Sequence, residues 1–169
     1  MGAGKSTLGP VIAARLRRPF VDTDHEVERI ADCSIPEIFE SEGEPGFRVR
    51  EKEVILALEG SGAVVALGGG AIGETPLRER LLQSGTVVYL EASPETLVER
   101  VGDAVNRPLL QGQDREERLT TISELLEARE ASYQQAHVTL QTEIWDPEEL
   151  AAQLEARLAG TKRQTEKGR

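Results

Sequence analysis

The sequence predicts an α/β chain: a parallel sheet with helices packed on both faces. Three observations carry this. Helix-period patterns alternate with short apolar runs along the chain. Two of those runs, Ala63-Val64-Val65-Ala66-Leu67 and Thr86-Val87-Val88-Tyr89-Leu90, are continuously apolar or nearly so, as strands buried on both faces require. And Gly2-Ala3-Gly4-Lys5-Ser6-Thr7 opens directly into a helical pattern, placing a glycine-rich turn at a helix N-terminus.

Taken in order, Ser6 to Leu16 reads as a helix with Leu8, Ile12 and Leu16 on one face. Phe20-Val21 is a short strand ending in Asp22-Thr23-Asp24, and His25 to Ala31 is helical. Ser34 caps a new helix with Pro36 in its first turn. A longer helix is expected over Gly46–Leu58, then the apolar strand and three glycines, Gly68 to Gly70. Thr75 to Ser84 is helical, and Ser93-Pro94-Glu95 begins a helix through Val101. Residues 102–115 hold Gly, Pro, Asn and charge and read as a mobile lid. Glu116 to Ala136 is helical, Val138 to Leu140 is a strand, and Pro147 to Leu158 is the last helix. The polar stretch 160–169 is expected to be a disordered tail beyond a domain of residues 1–159.

The 169-residue chain has a formal net charge of −10, which argues against a nucleic-acid partner, because such binding rests on positive charge along phosphates. No apolar run is long enough to span a bilayer. Cys33 is the one cysteine, so no internal disulfide is possible. These features favour a cytoplasmic protein, expected to be a monomer acting on a small molecule.

The hexapeptide is the closing half of a phosphate cradle, whose backbone N–H groups face the phosphates of ATP. Lys5 would reach the β- and γ-phosphates, and the Ser6 hydroxyl would bind Mg²⁺. The cradle's opening glycine and the apolar strand that feeds it are missing before Gly2. Either the chain begins late or it lacks a core strand. Asp22 and Asp24 fall at the active edge of a parallel sheet, where one carboxylate can hold a metal through water and the other can accept a proton. Helix capping is the alternative role for either. Arg48 and Glu51 share a helix face, so Glu51 can orient Arg48 toward a carboxylate. Taken alone, such a pair is more often an ordinary surface contact. The glycine triplet allows backbone to approach a ligand. Arg107 lies in the lid, and Arg129 stands one turn before Tyr133. His25 and His137 match no metal-ligand pattern and read as structural or exposed; Trp145 reads as a packing anchor.

Together, G-x-G-K-[ST], D-T-D, F-R-x-x-E, G-G-G, R-P-L-L and an arginine followed by tyrosine, in this order, resemble shikimate kinase. The resemblance runs from Met1 to about Leu158. It implies a three-layer P-loop kinase fold of the nucleoside-monophosphate-kinase type, with a five-stranded parallel sheet whose first strand this chain lacks. It implies transfer of the ATP γ-phosphoryl group to the 3-hydroxyl of shikimate. Gly2, Ala3, Gly4, Lys5, Ser6 and Thr7 would hold the phosphates, and Ser6 with Asp22 the Mg²⁺. Asp24 would be base and hydroxyl ligand. Arg48 and Arg129 would hold the substrate carboxylate, with Gly69 and Gly70 along the substrate. Arg107 would close over the phosphoryl group, and Arg100 would lie over the adenine. Gluconate kinase, or a non-catalytic nucleotide-binding relative, is the competing reading.

Overall fold

The computed structural model describes residues 2–102, 108–143 and 146–166, with side chains described as far as 158. Its helices are α1 (Lys5–Leu16), α2 (Thr23–Ala31), α3 (Ile35–Ala57), α4 (Thr75–Ser84), α5 (Pro94–Val101), α6 (Arg115–Tyr133) and α7 (Pro147–Glu166). Its strands are β1 (Phe20–Asp22), β2 (Val64–Ala66), β3 (Val88–Glu91) and β4 (Val138–Gln141). Among the described residues all pairing is parallel. β1 runs beside β2 with Val21 opposite Val65, and β3 runs beside β4 with Leu90 opposite Leu140.

Among the described residues the strands make two separate parallel pairs, with no strand ahead of α1. A shared core joins the pairs. Leu8 and Ile12 of α1 pack with Val138 and Leu140 of β4 and with Leu150, Ala151 and Leu154 of α7. Val64 of β2 and Val88 and Leu90 of β3 pack against that same cluster. Helix α1 therefore lies across both pairs, which holds its N-terminus at the carboxyl end of β1.

The local chemistry explains the element ends. The Glu37 carboxylate accepts from the Ser34 N–H and hydroxyl, at 2.8 and 2.6 Å, fixing the start of α3 as the sequence suggests. α3 is two helical segments joined at a kink, in keeping with the separate helices expected from Ser34 and over Gly46–Leu58. The joint is Gly43, whose φ 70° and ψ −178° are not helical. The Arg50 guanidinium reaches back across the kink to both oxygens of Glu42, at 3.0 and 2.7 Å. A correction concerns the lid. Leu110, inside the stretch read as mobile, is fully buried against Leu97, Val98 and Ile122, and Asp114 caps α6. Only residues 103–107 of that stretch, Arg107 among them, lie outside the described residues, as does Trp145. The last helix also runs further than expected, to Glu166.

Candidate active site

The site forms where β1 and β2 end. Gly4, at φ 88°, turns the chain into α1, and Lys5 is the first residue of that helix. The leading amides of a helix have no intrahelical acceptor, and together with the helix dipole they favour an anion. Gly2 and Ala3 lean on α5: a side chain added at Gly2 would meet the Leu97 carbonyl at 2.8 Å, and Ala3 packs in the Leu97 cluster.

Asp22, the last residue of β1, serves two partners. Its Oδ1 accepts from the Asp24 N–H at 3.1 Å and caps α2, while its Oδ2 accepts from the Ser6 hydroxyl at 2.7 Å. Capping and the contact with Ser6 thus coexist in one carboxylate. The Ser6 hydroxyl and the Asp22 carboxylate converge as hard oxygen donors, which suits Mg²⁺. That ion typically takes one or two protein oxygens and completes its shell with water and phosphate. Among the described residues no group of three or more His, Cys, Asp or Glu is arranged to hold a metal by itself, as that mode requires none.

Thr23 has no signal in the sequence beyond its place between two aspartates. It is fully buried; its hydroxyl donates to the Ala66 carbonyl at 3.1 Å and accepts from the Gly68 N–H at 3.2 Å. It ties the end of β1 to the glycine triplet after β2, which brings Asp24 against Gly68. A Cβ at Gly68 would stand 2.0 Å from Glu51 Oε1 and 3.3 Å from Asp24 Oδ1. Both carboxylates therefore face the same backbone.

Arg48 Nη1 donates to Glu51 Oε2 at 2.7 Å, so the F-R-x-x-E pair forms, and it is not a surface pair. The Glu51 side chain is 3% exposed. Burial raises its carboxyl pKa above the ordinary value; Arg48 pulls it down, the negative charge of Asp24 pushes it up, and Arg129 pulls it down. Arg129 therefore places its charge on the same cluster. Gly70 touches Arg48 so closely that a Cβ there would stand 2.5 Å from the guanidinium carbon. Gly69 is held from the other side: the Tyr133 hydroxyl donates to its carbonyl at 2.9 Å. Tyr133 stacks on Tyr89 at 4.7 Å, and burial, with Glu91 and Glu130 adding to it, pushes the Tyr89 phenol up to about 12.

Asp24, Arg48, Gly69 and Gly70 thus gather at one edge, beside the Ser6–Asp22 pair, with the Arg129 charge felt by Glu51. Arg100 stands apart from them. Its guanidinium donates to the Thr142 hydroxyl at 3.2 Å and to the Thr142 carbonyl, tying the end of α5 to the segment after β4. His137 is exposed, and its Nδ1 accepts from the Val87 N–H at 3.0 Å, a structural role.

The sequence profile described as "Shikimate kinase" matches residues 1–159. The chain belongs to the shikimate kinase family. It is 45% identical over 161 residues to the shikimate kinase of Pseudomonas syringae pv. tomato, covering 94% of this chain and 92% of that one. It is 45% identical over 156 residues to the shikimate kinase of Acinetobacter baumannii strain AYE, covering 91% and 85%. Its fold superimposes on the solved shikimate kinase from Acinetobacter baumannii in complex with shikimate with a TM-score of 0.90, at 42% identity, covering 96% and 90% of the two chains. The Aquifex aeolicus shikimate kinase gives a TM-score of 0.81 at 34% identity, covering 96% and 94%. The three-layer P-loop kinase fold read from the sequence is therefore the fold of the family. No helix among the described residues is long and apolar enough to cross a membrane.

Proposed function

We propose that the protein phosphorylates shikimate at its 3-hydroxyl with ATP, giving shikimate 3-phosphate and ADP. The observation that carries the reading is the gathering of Asp24, the Arg48–Glu51 pair and the glycine triplet at one strand edge, next to the Ser6–Asp22 pair. Carboxylate-binding arginines and a carboxylate for hydroxyls stand beside phosphate-binding elements, which is what a hydroxylated carboxylic acid and ATP together require.

Arg48, pre-oriented by Glu51, and Arg129 take the substrate carboxylate. Fixing that end sets the hydroxyl at the other. Asp24 hydrogen-bonds the reacting hydroxyl and takes its proton as the oxygen attacks the γ-phosphorus and the bond to the β-phosphate oxygen breaks. Gly2, Ala3, Gly4, Lys5, Ser6 and Thr7 cradle the phosphates, and the Lys5 ammonium offsets charge on the transferring group. Ser6 and Asp22 would hold Mg²⁺, which when bound neutralises phosphate charge and orients the β- and γ-groups. Gly69 and Gly70 bring backbone alongside the substrate. Arg100 borders the adenine, and Arg107 closes from the lid. The catalytic domain is proposed to take in residues 1–159, with the lid in the segment that holds Arg107. The enzyme is proposed to act as a cytoplasmic monomer.

The test is product analysis. Protein, ATP, Mg²⁺ and shikimate should yield ADP and shikimate 3-phosphate in equal amounts, the latter identified by its phosphorus NMR coupling to the ring proton. ADP release without a phosphorylated shikimate would sink the proposal.

A further inference from the structure

Arg48 is held by two carboxylates of very different character. Glu51 grips Nη1 from a buried position. On the other edge a single oxygen of Glu44, Oε1, accepts from both Nε and Nη2, at 3.2 and 2.8 Å. The Glu44 side chain is 48% exposed against 3% for Glu51. The edge that solvent can reach, and that an incoming carboxylate would use, is thus already occupied by a carboxylate of the chain itself.

We propose that Glu44 is a built-in competitor for the substrate carboxylate, a latch that the substrate displaces from Arg48 and that sets substrate affinity. The inference rests on the assignment of Arg48 to that carboxylate. Three features favour displacement. A guanidinium has five N–H donors, and neither Glu51 nor the Gly70 backbone takes the Nε–Nη2 edge, so a carboxylate arriving there replaces Glu44 like for like. Glu44 follows the kinked residue Gly43, at the start of the second segment of α3, where a released carboxylate still meets the favourable end of the helix dipole. And the Arg50–Glu42 pair clamps the kink independently, so the helix does not depend on the Glu44 contact for its path. Glu51, by contrast, cannot leave: it is buried behind Arg48 and keeps the guanidinium in place during the exchange.

An arginine–carboxylate pair of ordinary exposed strength leaves the edge open for about a sixth to two-fifths of the time, which weakens apparent affinity in proportion. Glu44→Gln should therefore lower the Kd for shikimate, measured by calorimetry, and its KM, measured by ADP release, by about two- to sixfold. The KM for ATP should stay the same. The methyl ester of shikimate carries no carboxylate and should gain nothing from the substitution. An unchanged or weaker shikimate affinity in Glu44→Gln, or an equal gain for the ester, overturns the latch. Arg48→Ala run alongside keeps the two levels apart. If it leaves shikimate affinity intact, the carboxylate assignment fails; if it weakens affinity while Glu44→Gln changes nothing, only the latch fails.

Discussion

Adding one methyl group at Gly68 should damage the site through a short chain of contacts. The backbone of Gly68 is outside the left-handed region, so alanine meets no conformational penalty there. The cost is steric. The new Cβ would stand 2.0 Å from Glu51 Oε1. An ordinary carbon–oxygen contact needs about 3.3 Å, so Glu51 or the β2 end must give by about 1.3 Å. Glu51 cannot swing into solvent, because its side chain is 3% exposed and bonded to Arg48. Overpacking of this kind costs about 1–3 kcal/mol. For a chain of this length that corresponds to a fall in Tm of about 2–12 °C. Because the displaced Glu51 carries Arg48 with it, the KM for shikimate should rise by about tenfold while the KM for ATP is retained. Differential scanning fluorimetry and coupled ADP release read the two effects. A Gly68→Ala protein with unaltered Tm and shikimate KM would refute the packing that places Glu51 behind Arg48.

Other outcomes follow from the same geometry. Asp24→Asn should lower kcat by about 10²–10⁴-fold while ATP binding, followed by calorimetry, is kept; near-normal kcat would remove Asp24 from the role of base. Asp22→Asn should raise the Mg²⁺ concentration needed for half-maximal rate by about 10–100-fold, and an unaltered requirement would count against the Ser6–Asp22 pair as the ion's protein ligands. Glu51 has a carboxyl pKa raised by burial, so the folded state holds its proton more tightly than the unfolded chain does. Its contribution to stability is therefore fully present below the ordinary value of 4.5 and is lost as pH rises through the raised one. The Tm of the wild-type protein minus that of Glu51→Gln should accordingly fall as pH rises above 4.5; a difference that grows with pH would show that the ion pair with Arg48 outweighs burial.

Much of the fold was legible because it rests on local rules. The span Thr75–Ser84 forms as read, and the Ser34–Glu37 box starts α3 where Ser and Glu stand three apart. The Arg48–Glu51 contact likewise follows from helical spacing. What escaped the sequence depends on distant partners. The burial of Glu51 depends on Gly68, which only the β1–β2 pairing brings near. Thr23 ties two strand ends by hydrogen bonds to residues more than forty positions away, and no periodicity marks it. Arg50 reaches Glu42, eight residues back, because the chain turns at Gly43; in a straight helix the two would stand about 12 Å apart along the axis. The Arg100 fork goes to Thr142, across a separation of 42 residues. The Glu44 contact does have helical spacing, but unlike Glu51 it belongs to no motif.

The proposed site answers shikimate with two arginines for one carboxylate and Asp24 for the hydroxyl. Coupled ADP release with shikimate and with gluconate, run side by side at saturating ATP and Mg²⁺, shows whether it does so selectively. The kcat/KM for shikimate should be at least about 10³-fold above that for gluconate, since a site that hydrogen-bonds specific hydroxyls rejects a substrate that leaves its polar groups unpaired. Equal turnover of the two acids, or turnover of gluconate alone, would rule this selectivity out.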